Sequence, residues 1–219
     1  MNSPRHRHII WDWNGTLLDD LDYSIAVMNT LLAPRGLPLL DRTRYHALFD
    51  FPVRSYYERL GFDYSQVSFE KLSVEFIQSY DARRLTCPLQ RAAPDVLAAV
   101  QAAGLTQSIL SAYRHESLQQ IVGHFGLTSH FVRLAGLDND HAHSKAELGA
   151  ELVAAIGVPP REILLVGDTL HDFEVAQKLG VDSALIAAGH HPAERLRQVT
   201  DRVFADLPSW ARAAGLALT

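Results

Sequence analysis

The sequence is short of cysteine, of long apolar runs and of positive charge, and each shortage excludes a class of protein. Cys87 is the only cysteine among 219 residues, so an intrachain disulfide cannot form and a cytoplasmic setting is expected. The longest uncharged stretch, 96–113, contains a glycine and several polar residues, which excludes a membrane span. Acidic residues outnumber basic ones by 25 to 20, and the net charge of −5 excludes a protein that coats nucleic acid or anionic membranes.

The remaining composition is that of an ordinary globular protein, with 47% apolar and 21% charged residues. Short β-rich runs alternate with helical ones along the C-terminal part of the chain. Strands are predicted at 8–13, 108–111, 131–135, 163–166, 183–187 and 202–205. Helices are predicted at 114–124, 144–156, 172–179, 192–199 and 207–214. This alternation of apolar strands and helices indicates an α/β fold, a Rossmann-like, doubly wound parallel sheet with helices on both faces.

Residues 19–85 break this alternation. No run there has the composition of a strand, and apolar side chains recur at helical spacing, as in Ile25, Met28 and Leu32. We therefore predict two domains: an α/β core formed by 1–18 and 86–219, and a helical domain at 19–85. Because ligands bind beyond the carboxyl ends of the strands in a doubly wound sheet, an insertion after strand one is expected to overhang the site as a lid.

The first predicted strand ends in an acidic segment that contains a glycine, Asp12-Trp13-Asn14-Gly15-Thr16. A carboxylate at the tip of a buried strand is well placed to meet a phosphate or a metal ion, and a following glycine lets backbone amides approach an anion. The same residues are also typical of an Asx turn that ends a strand.

A second acidic segment, Gly167-Asp168-Thr169, follows the fourth predicted strand, and Asp172 comes four residues after Asp168. That spacing places Asp172 in the first turn of the next helix, on the same side as Asp168, where the helix dipole favours negative charge. Helix capping by Asp168 or Thr169 is an alternative explanation, and it is compatible with a metal role. Carboxylates gathered at one end of a sheet repel one another unless a cation lies among them, and their hard oxygens suit Mg²⁺.

Two further residues bring a hydroxyl and a positive charge to the same end of the sheet. Ser111 ends the second predicted strand, although a serine in a turn is the simpler interpretation. Lys145 opens a predicted helix whose N-terminus faces that end. It is one of only three lysines, against seventeen arginines, and a compact, flexible ammonium is suited to neutralising a phosphate.

Taken in order, Asp-x-Asn-Gly-Thr at 12–16, Ser111, Lys145 and Gly-Asp-x-x-x-Asp at 167–172 resemble the motifs of the haloacid dehalogenase (HAD) superfamily of phosphohydrolases. The resemblance covers nearly the whole chain, and the helical insertion is similar to that superfamily's helical cap. Within the superfamily, the chain is most similar to enzymes of the phosphoglycolate phosphatase type.

The resemblance implies a role for each matching residue. Asp12 is implied to be the nucleophile that takes the phosphoryl group, and Asp12, Asp168 and the backbone carbonyl of Asn14 are implied to bind Mg²⁺. Asp172 is implied to bind metal-bound water or to orient Lys145. Phosphate oxygens are implied to be held by Gly15, Thr16, Ser111, Ala112 and Lys145. These roles suit phosphoryl transfer, which depends on in-line positioning and on neutralised phosphate oxygens.

Asn14 departs from the pattern of the superfamily. The usual residue two positions after the nucleophile is Asp, an acid toward the leaving group and then a base toward water, whereas Asn14 has no proton that titrates near neutrality. Loss of this acid is expected to cost about 10² to 10⁴-fold in rate. Phosphonate-cleaving relatives also lack it and use a cap lysine instead. Lys71, the only lysine in the insertion, lies in an amphipathic stretch typical of a solvated face.

An arginine and several histidines are further candidates. Arg54 is a candidate partner for a substrate carboxylate, although an exposed helix arginine is the simpler interpretation. His171 is a candidate replacement for the missing acid, with a solvent-facing helix cap as the alternative. His190-His191 is interpreted as a loop before a helix. The segment 141–143, His-Ala-His, is interpreted as a polar loop rather than a transition-metal site, because no further ligands follow at a recognisable spacing.

The sequence thus predicts a Mg²⁺-dependent phosphomonoester hydrolase that acts on a small, phosphoglycolate-like metabolite as a monomer or homodimer. Asn14 keeps a second hypothesis open, a protein that binds a phosphorylated ligand or holds an aspartyl-phosphate with little turnover, as a regulatory module. A phosphonate C–P hydrolase is a minor alternative. A receiver-type signalling domain, which also has an acidic cluster and a lysine on a parallel sheet, ranks last because such domains lack the insertion and the late Gly-Asp-x-x-x-Asp segment.

Overall fold

The structure is a computed structural model that describes residues 6–137 and 144–218. The segment 141–143 lies outside the described residues. The chain divides into two compact units, an α/β unit of Met1–Asp19 with Leu89–Thr219 and a helical unit of Asp20–Pro88.

A six-stranded parallel sheet in the order β3-β2-β1-β4-β5-β6 forms the centre of the α/β unit. Its strands are β1 His8–Trp11, β2 Thr106–Arg114, β3 Arg133–Leu137, β4 Ile163–Gly167, β5 Asp182–Ile186 and β6 Val203–Phe204. This doubly wound order confirms the predicted fold class. Since β2 and β4 lie on opposite sides of β1, the strand order reverses beside β1, where such sheets bind their ligands.

The helical unit contains α-helices and short 3₁₀ turns as its regular elements. The helices are α1 Leu21–Leu32, α2 Arg42–Leu48, α3 Val53–Leu60 and α4 Phe69–Asp81. Side chains cap two of their N-termini, since Asp41 accepts from the Arg44 N–H and Ser68 from the Lys71 N–H. A core of its own, which includes Leu32, holds this unit together.

Helices flank the sheet in the α/β unit. They are α5 Ala93–Ala102, α6 His115–His124, α7 Lys145–Ile156, α8 Leu170–Leu179, α9 Ala193–Leu196 and α10 Leu207–Ala213. Every residue of β1 and β4 is buried, as expected for parallel strands covered on both faces. None of the described helices combines the length and the apolar character needed to cross a bilayer.

The structure corrects several predicted boundaries. Helix α5 was not predicted, although Pro94 in its first turn and the apolar spacing of Val96, Leu97 and Val100 indicate it. Strand β2 continues through Arg114, so α6 begins at His115. A shift in the pairing register of β2 with β3 accounts for this extension.

Candidate active site

Asp12 lies at the carboxyl end of β1 and begins a tight loop. Its N–H donates to the Val166 carbonyl of β4 at 2.8 Å, which extends the sheet by one residue. The N–H groups of Leu17 and Leu18 both donate to the Trp13 carbonyl, at 3.0 and 2.9 Å, and close the turn. The Asp12 carboxylate accepts from the side chains of Thr16 and Lys145.

Gly15 brings this loop against Asp168. Its φ of +78° is in the left-handed region, and a Cβ atom there would lie 2.2 Å from Asp168 Oδ2. A side chain at position 15 would therefore displace the Asp168 carboxylate. The absence of a side chain at Gly15 thus lets the loop approach a carboxylate of the protein, and an anion contact of its backbone amide stays a prediction.

The loop between β4 and α8 holds Asp168 and Asp172 together. Thr169 is the N-cap of α8, and its side chain and that of Asp172 form a reciprocal capping box. Asp172 Oδ2 also accepts from the N–H of Asp168 at 3.2 Å and of Thr169 at 3.0 Å. Helix capping and clustering of the carboxylates therefore occur in the same residues, and Asp172 Oδ1 stays available for a different partner.

Lys145 supplies that partner. It is the first residue of α7, whose start is fixed by a capping box between Ser144 and Glu147, and the residue is only 6% exposed. Its ammonium donates to Asp172 Oδ1 at 2.6 Å and also to Asp12 Oδ1. One cation thus joins the two carboxylates and fixes their separation.

Thr16 completes the network. Its hydroxyl lies 2.8 Å from Asp168 Oδ1 and 3.3 Å from Asp12 Oδ2, and with a single proton it donates to one of them at a time. Asp12, Thr16, Lys145, Asp168 and Asp172 are therefore one buried, hydrogen-bonded cluster.

The donor set of this cluster fits a divalent cation. One carboxylate oxygen from each of Asp12, Asp168 and Asp172 lies within 4.8 Å of the other two. Three carboxylates and the Lys145 ammonium leave two negative charges uncompensated, which is the charge that one Mg²⁺ ion would neutralise. Hard carboxylate oxygens are the ligands that this ion prefers.

Burial controls the protonation of the cluster. It raises the pKa of Asp12 to about 8, an effect that the Lys145 ammonium opposes and the other two carboxylates strengthen. Burial also raises the pKa of Asp168 to about 6. Burial acts in the same direction on Asp172, but Lys145 and Thr169 outweigh it and lower its pKa. The cluster therefore favours the uptake of positive charge, as a proton or as a cation.

The other predicted phosphate contacts lie on β2 and in the loop after β1. Ser111 is buried on β2, next to β1, and its hydroxyl accepts from the Tyr113 N–H at 3.1 Å rather than joining the carboxylate cluster. Ala112 follows it and is exposed. Asn14 is half-buried in the loop closed by Trp13 and Leu18.

The remaining candidate residues are Arg54 and Lys71 in the helical unit and His171 in the α/β unit. Arg54 on α3 donates to Glu70 at 2.7 Å, and its guanidinium lies 4.5 Å from the centre of the Phe69 ring. Lys71 is exposed in the first turn of α4. His171, in the α/β unit, has Glu174 on its own helix as a neighbour at 3.7 Å. Substrate and acid roles for these residues stay predictions.

The loop after β5 makes contacts with Asp168 and α8 that the sequence did not predict. Gly189 lies so close to Asp168 that a Cβ atom there would be 2.2 Å from Oδ2, and the His190 N–H donates to the same oxygen at 2.6 Å. His191 Nδ1 accepts from the Leu170 N–H at the start of α8. His190 and His191 lie in a loop before α9, as predicted. Gly189 comes shortly after β5, which is adjacent to β4, and this position was the signal in the sequence for a contact with Asp168.

Comparison with known proteins places the chain in a family. A model of the haloacid dehalogenase-like hydrolase family matches residues 9–186, which include the whole carboxylate cluster. The chain belongs to this family. HAD-like hydrolases whose solved structures resemble it include protein SP0104 from Streptococcus pneumoniae, with 19% identity, a TM-score of 0.81, and coverage of 97% of this chain and 99% of that one.

Proteins with similar sequences include two phosphatases and a tyrosine kinase. N-acetylmuramic acid 6-phosphate phosphatase from Pseudomonas aeruginosa is 26% identical over 89% of this chain and 88% of its own. Phosphoglycolate phosphatase from Synechococcus elongatus is 27% identical over 86% of this chain and 87% of its own. Tyrosine-protein kinase PtkA from Mycobacterium tuberculosis is 24% identical over 89% of this chain and 67% of its own.

Proposed function

We propose that this HAD-like hydrolase is a Mg²⁺-dependent phosphomonoesterase that works through an aspartyl-phosphate on Asp12. The observation that carries the proposal is the buried cluster in which Lys145 joins Asp12 to Asp172, with Asp168 beside them. Asp12, Asp168 and the Asn14 carbonyl would hold the ion, with Asp172 binding its water or orienting Lys145. Bound there, Mg²⁺ offsets the repulsion between the attacking carboxylate and an anionic phosphate.

Each residue of the cluster then has a task in phosphoryl transfer. A carboxylate oxygen of Asp12 attacks phosphorus, a new O–P bond forms, and the bond from phosphorus to the leaving oxygen breaks. Lys145 and Thr16 neutralise or hydrogen-bond the phosphate oxygens, and Ser111 and the backbone at Gly15 and Ala112 are proposed to assist them. Water then attacks the phosphorus of the aspartyl-phosphate and releases phosphate and free Asp12.

The site lacks an acid and base at position 14 for proton transfer. The leaving oxygen needs a proton, and the attacking water must lose one. Near neutral pH, the amide of Asn14 can neither donate the first proton nor accept the second. We propose that these protons are exchanged with solvent, with His171 as the candidate replacement acid, and that turnover is slow for poor leaving groups.

The proposed substrate is a small phosphorylated metabolite. Two named relatives are phosphatases of small molecules, an N-acetylmuramic acid phosphate and phosphoglycolate, and both match the chain over most of their length. The helical unit, Asp20–Pro88, is proposed to act as a cap that selects the substrate. A cytoplasmic location and a monomeric or homodimeric state remain predictions.

Asn14 and the kinase-named relative favour one second candidate. If water is activated poorly, the aspartyl-phosphate lives longer and becomes available to another acceptor or to a regulatory role. The similarity to tyrosine-protein kinase PtkA agrees with phosphoryl transfer to a hydroxyl group. Steady release of phosphate favours the phosphatase, whereas a single turnover that stops at phosphoenzyme favours this candidate.

Hydrolysis of p-nitrophenyl phosphate tests the proposal. The wild-type protein is expected to release phosphate steadily with Mg²⁺ and to stop on addition of EDTA. Asp12→Asn keeps the volume of the side chain but lacks the attacking carboxylate, so it is expected to be inactive. Metal-independent turnover, or turnover that survives Asp12→Asn, contradicts the proposal.

A further inference from the structure

Gln90 is a buried amide that joins two loops of the α/β unit. The residue is 8% exposed, and its backbone N–H donates to the Leu17 carbonyl at 2.8 Å. Its side-chain Nε2 donates to the Gly15 carbonyl at 3.0 Å and makes a longer contact, 3.5 Å, to the Ala188 carbonyl. One carboxamide therefore spans the loop after β1 and the loop after β5.

Both of these loops enclose the same carboxylate. Gly15 and Gly189 each approach Asp168 so closely that a Cβ atom on either would lie 2.2 Å from Oδ2. The His190 N–H, two residues after Ala188, donates to that oxygen at 2.6 Å. A change in the separation of the loops would move the groups that hold Asp168 in place.

The Gln90 contact also fixes the orientation of a peptide plane. The peptide between Gly15 and Thr16 is planar, so holding the Gly15 carbonyl also sets the direction of the Thr16 N–H and the position of the Thr16 Cα. The Thr16 hydroxyl in turn reaches Asp168 at 2.8 Å. Gln90 thus acts on Asp168 through both loops and through Thr16.

We propose that Gln90 is a positioning residue for the Mg²⁺ site, which acts through the two loops and through Thr16 to hold Asp168 in the arrangement that binds the ion. The inference rests on the proposed function, because it requires Asp168 to be a metal ligand. Replacing a residue that orients a metal ligand without binding the metal itself typically weakens metal binding by about 10- to 100-fold.

Gln107 provides a matched control. It is a second buried glutamine, 1% exposed, which accepts from Trp11 Nε1 and donates to the Leu97 carbonyl, both at 3.0 Å. Replacing either glutamine with Met removes buried hydrogen bonds with little change in volume. Only Gln90 contacts the loops that hold Asp168, so a general loss of stability affects both variants and a loss of positioning affects one.

Isothermal titration with Mg²⁺ and no substrate is the test, run on wild type, Gln90→Met, Gln107→Met and Asp168→Asn. We expect Gln90→Met to weaken Mg²⁺ binding about 10- to 100-fold and Gln107→Met to leave it unchanged. Excess Mg²⁺ is then expected to restore turnover in Gln90→Met. If Gln90→Met does not fold, Gln90→Asn, which keeps an amide but is one methylene shorter, is expected to show the same loss.

The outcomes separate the inference from the proposed function. If wild type binds Mg²⁺, Asp168→Asn does not, and the Gln90 variants bind like wild type, then the role of Gln90 is wrong and the metal site stands. Equal weakening in Gln90→Met and Gln107→Met also overturns the inference, since it shows a general structural effect. If wild type binds no Mg²⁺, the proposed function fails and the inference fails with it.

Discussion

Replacing Gly15 with Ala isolates the contact between the loop after β1 and Asp168. Gly15 has a φ of +78°, and Gly104, which has nothing within 4 Å of its Cβ position, has a φ of +77°. An alanine in the left-handed region costs about 1–2 kcal/mol at either position. The reduced entropy of the unfolded chain is the same for both substitutions, so it cancels when they are compared.

The difference between the two variants therefore measures the clash. At position 15 the new Cβ would lie 2.2 Å from Asp168 Oδ2 and 2.6 Å from His190 Cδ2, and overpacking of this kind typically costs about 1–3 kcal/mol. We expect urea unfolding to give a loss of about 2–5 kcal/mol for Gly15→Ala against about 1–2 kcal/mol for Gly104→Ala. Titration with Mg²⁺ should show weaker binding in Gly15→Ala alone. Equal losses of stability together with unchanged Mg²⁺ affinity would refute the reasoning.

Three further substitutions test other parts of the account. Asn14→Asp restores an acid and base, so turnover should rise more for alkyl phosphates than for p-nitrophenyl phosphate, whose leaving group needs no proton; unchanged steady-state rates on both would count against this. Lys145→Ala should weaken binding of vanadate more than that of Mg²⁺, and equal losses in calorimetry would mean that Lys145 is only structural. Burial lowers the pKa of His8 from 6.5 to about 4, so the unfolded chain takes up a proton on His8 at a higher pH than the folded chain does. The free energy of unfolding therefore falls by about 3 kcal/mol as the pH is lowered from above 6.5 to 4. The unfolding free energy of His8→Asn should therefore fall less steeply with decreasing pH than that of wild type. The same pH dependence in both proteins would contradict the lowered pKa of His8.

The sequence predicted the parts of the fold that local pattern determines. Apolar runs such as 163–166 identify strands, and the acidic residues after them could be assigned to one edge of the sheet because parallel strands share that edge. Asp172 was placed correctly by helical spacing, since it needs only the start of α8 to be known.

Contacts between loops that are distant in the chain could not be predicted. Gln90 and Ala188 are 98 residues apart, and nothing near either residue indicates that they meet. The end of β2 was also unpredictable, because the pairing of Arg114 with Leu137 depends on an irregularity in the register with β3. In each case tertiary structure, rather than local preference, decides the outcome.

Chemical trapping of the phosphoenzyme tests the central claim, that Asp12 is the nucleophile, most directly. The protein is mixed with a phosphorylated substrate and Mg²⁺, quenched in acid during turnover, and treated with borohydride, which reduces an aspartyl-phosphate to homoserine. Mass spectrometry of the peptide that contains residue 12 is expected to show homoserine at that position in wild type and no modification in Asp12→Asn. Turnover by wild type with residue 12 unmodified, or a phosphorylated residue elsewhere in an active Asp12→Asn protein, would contradict the account.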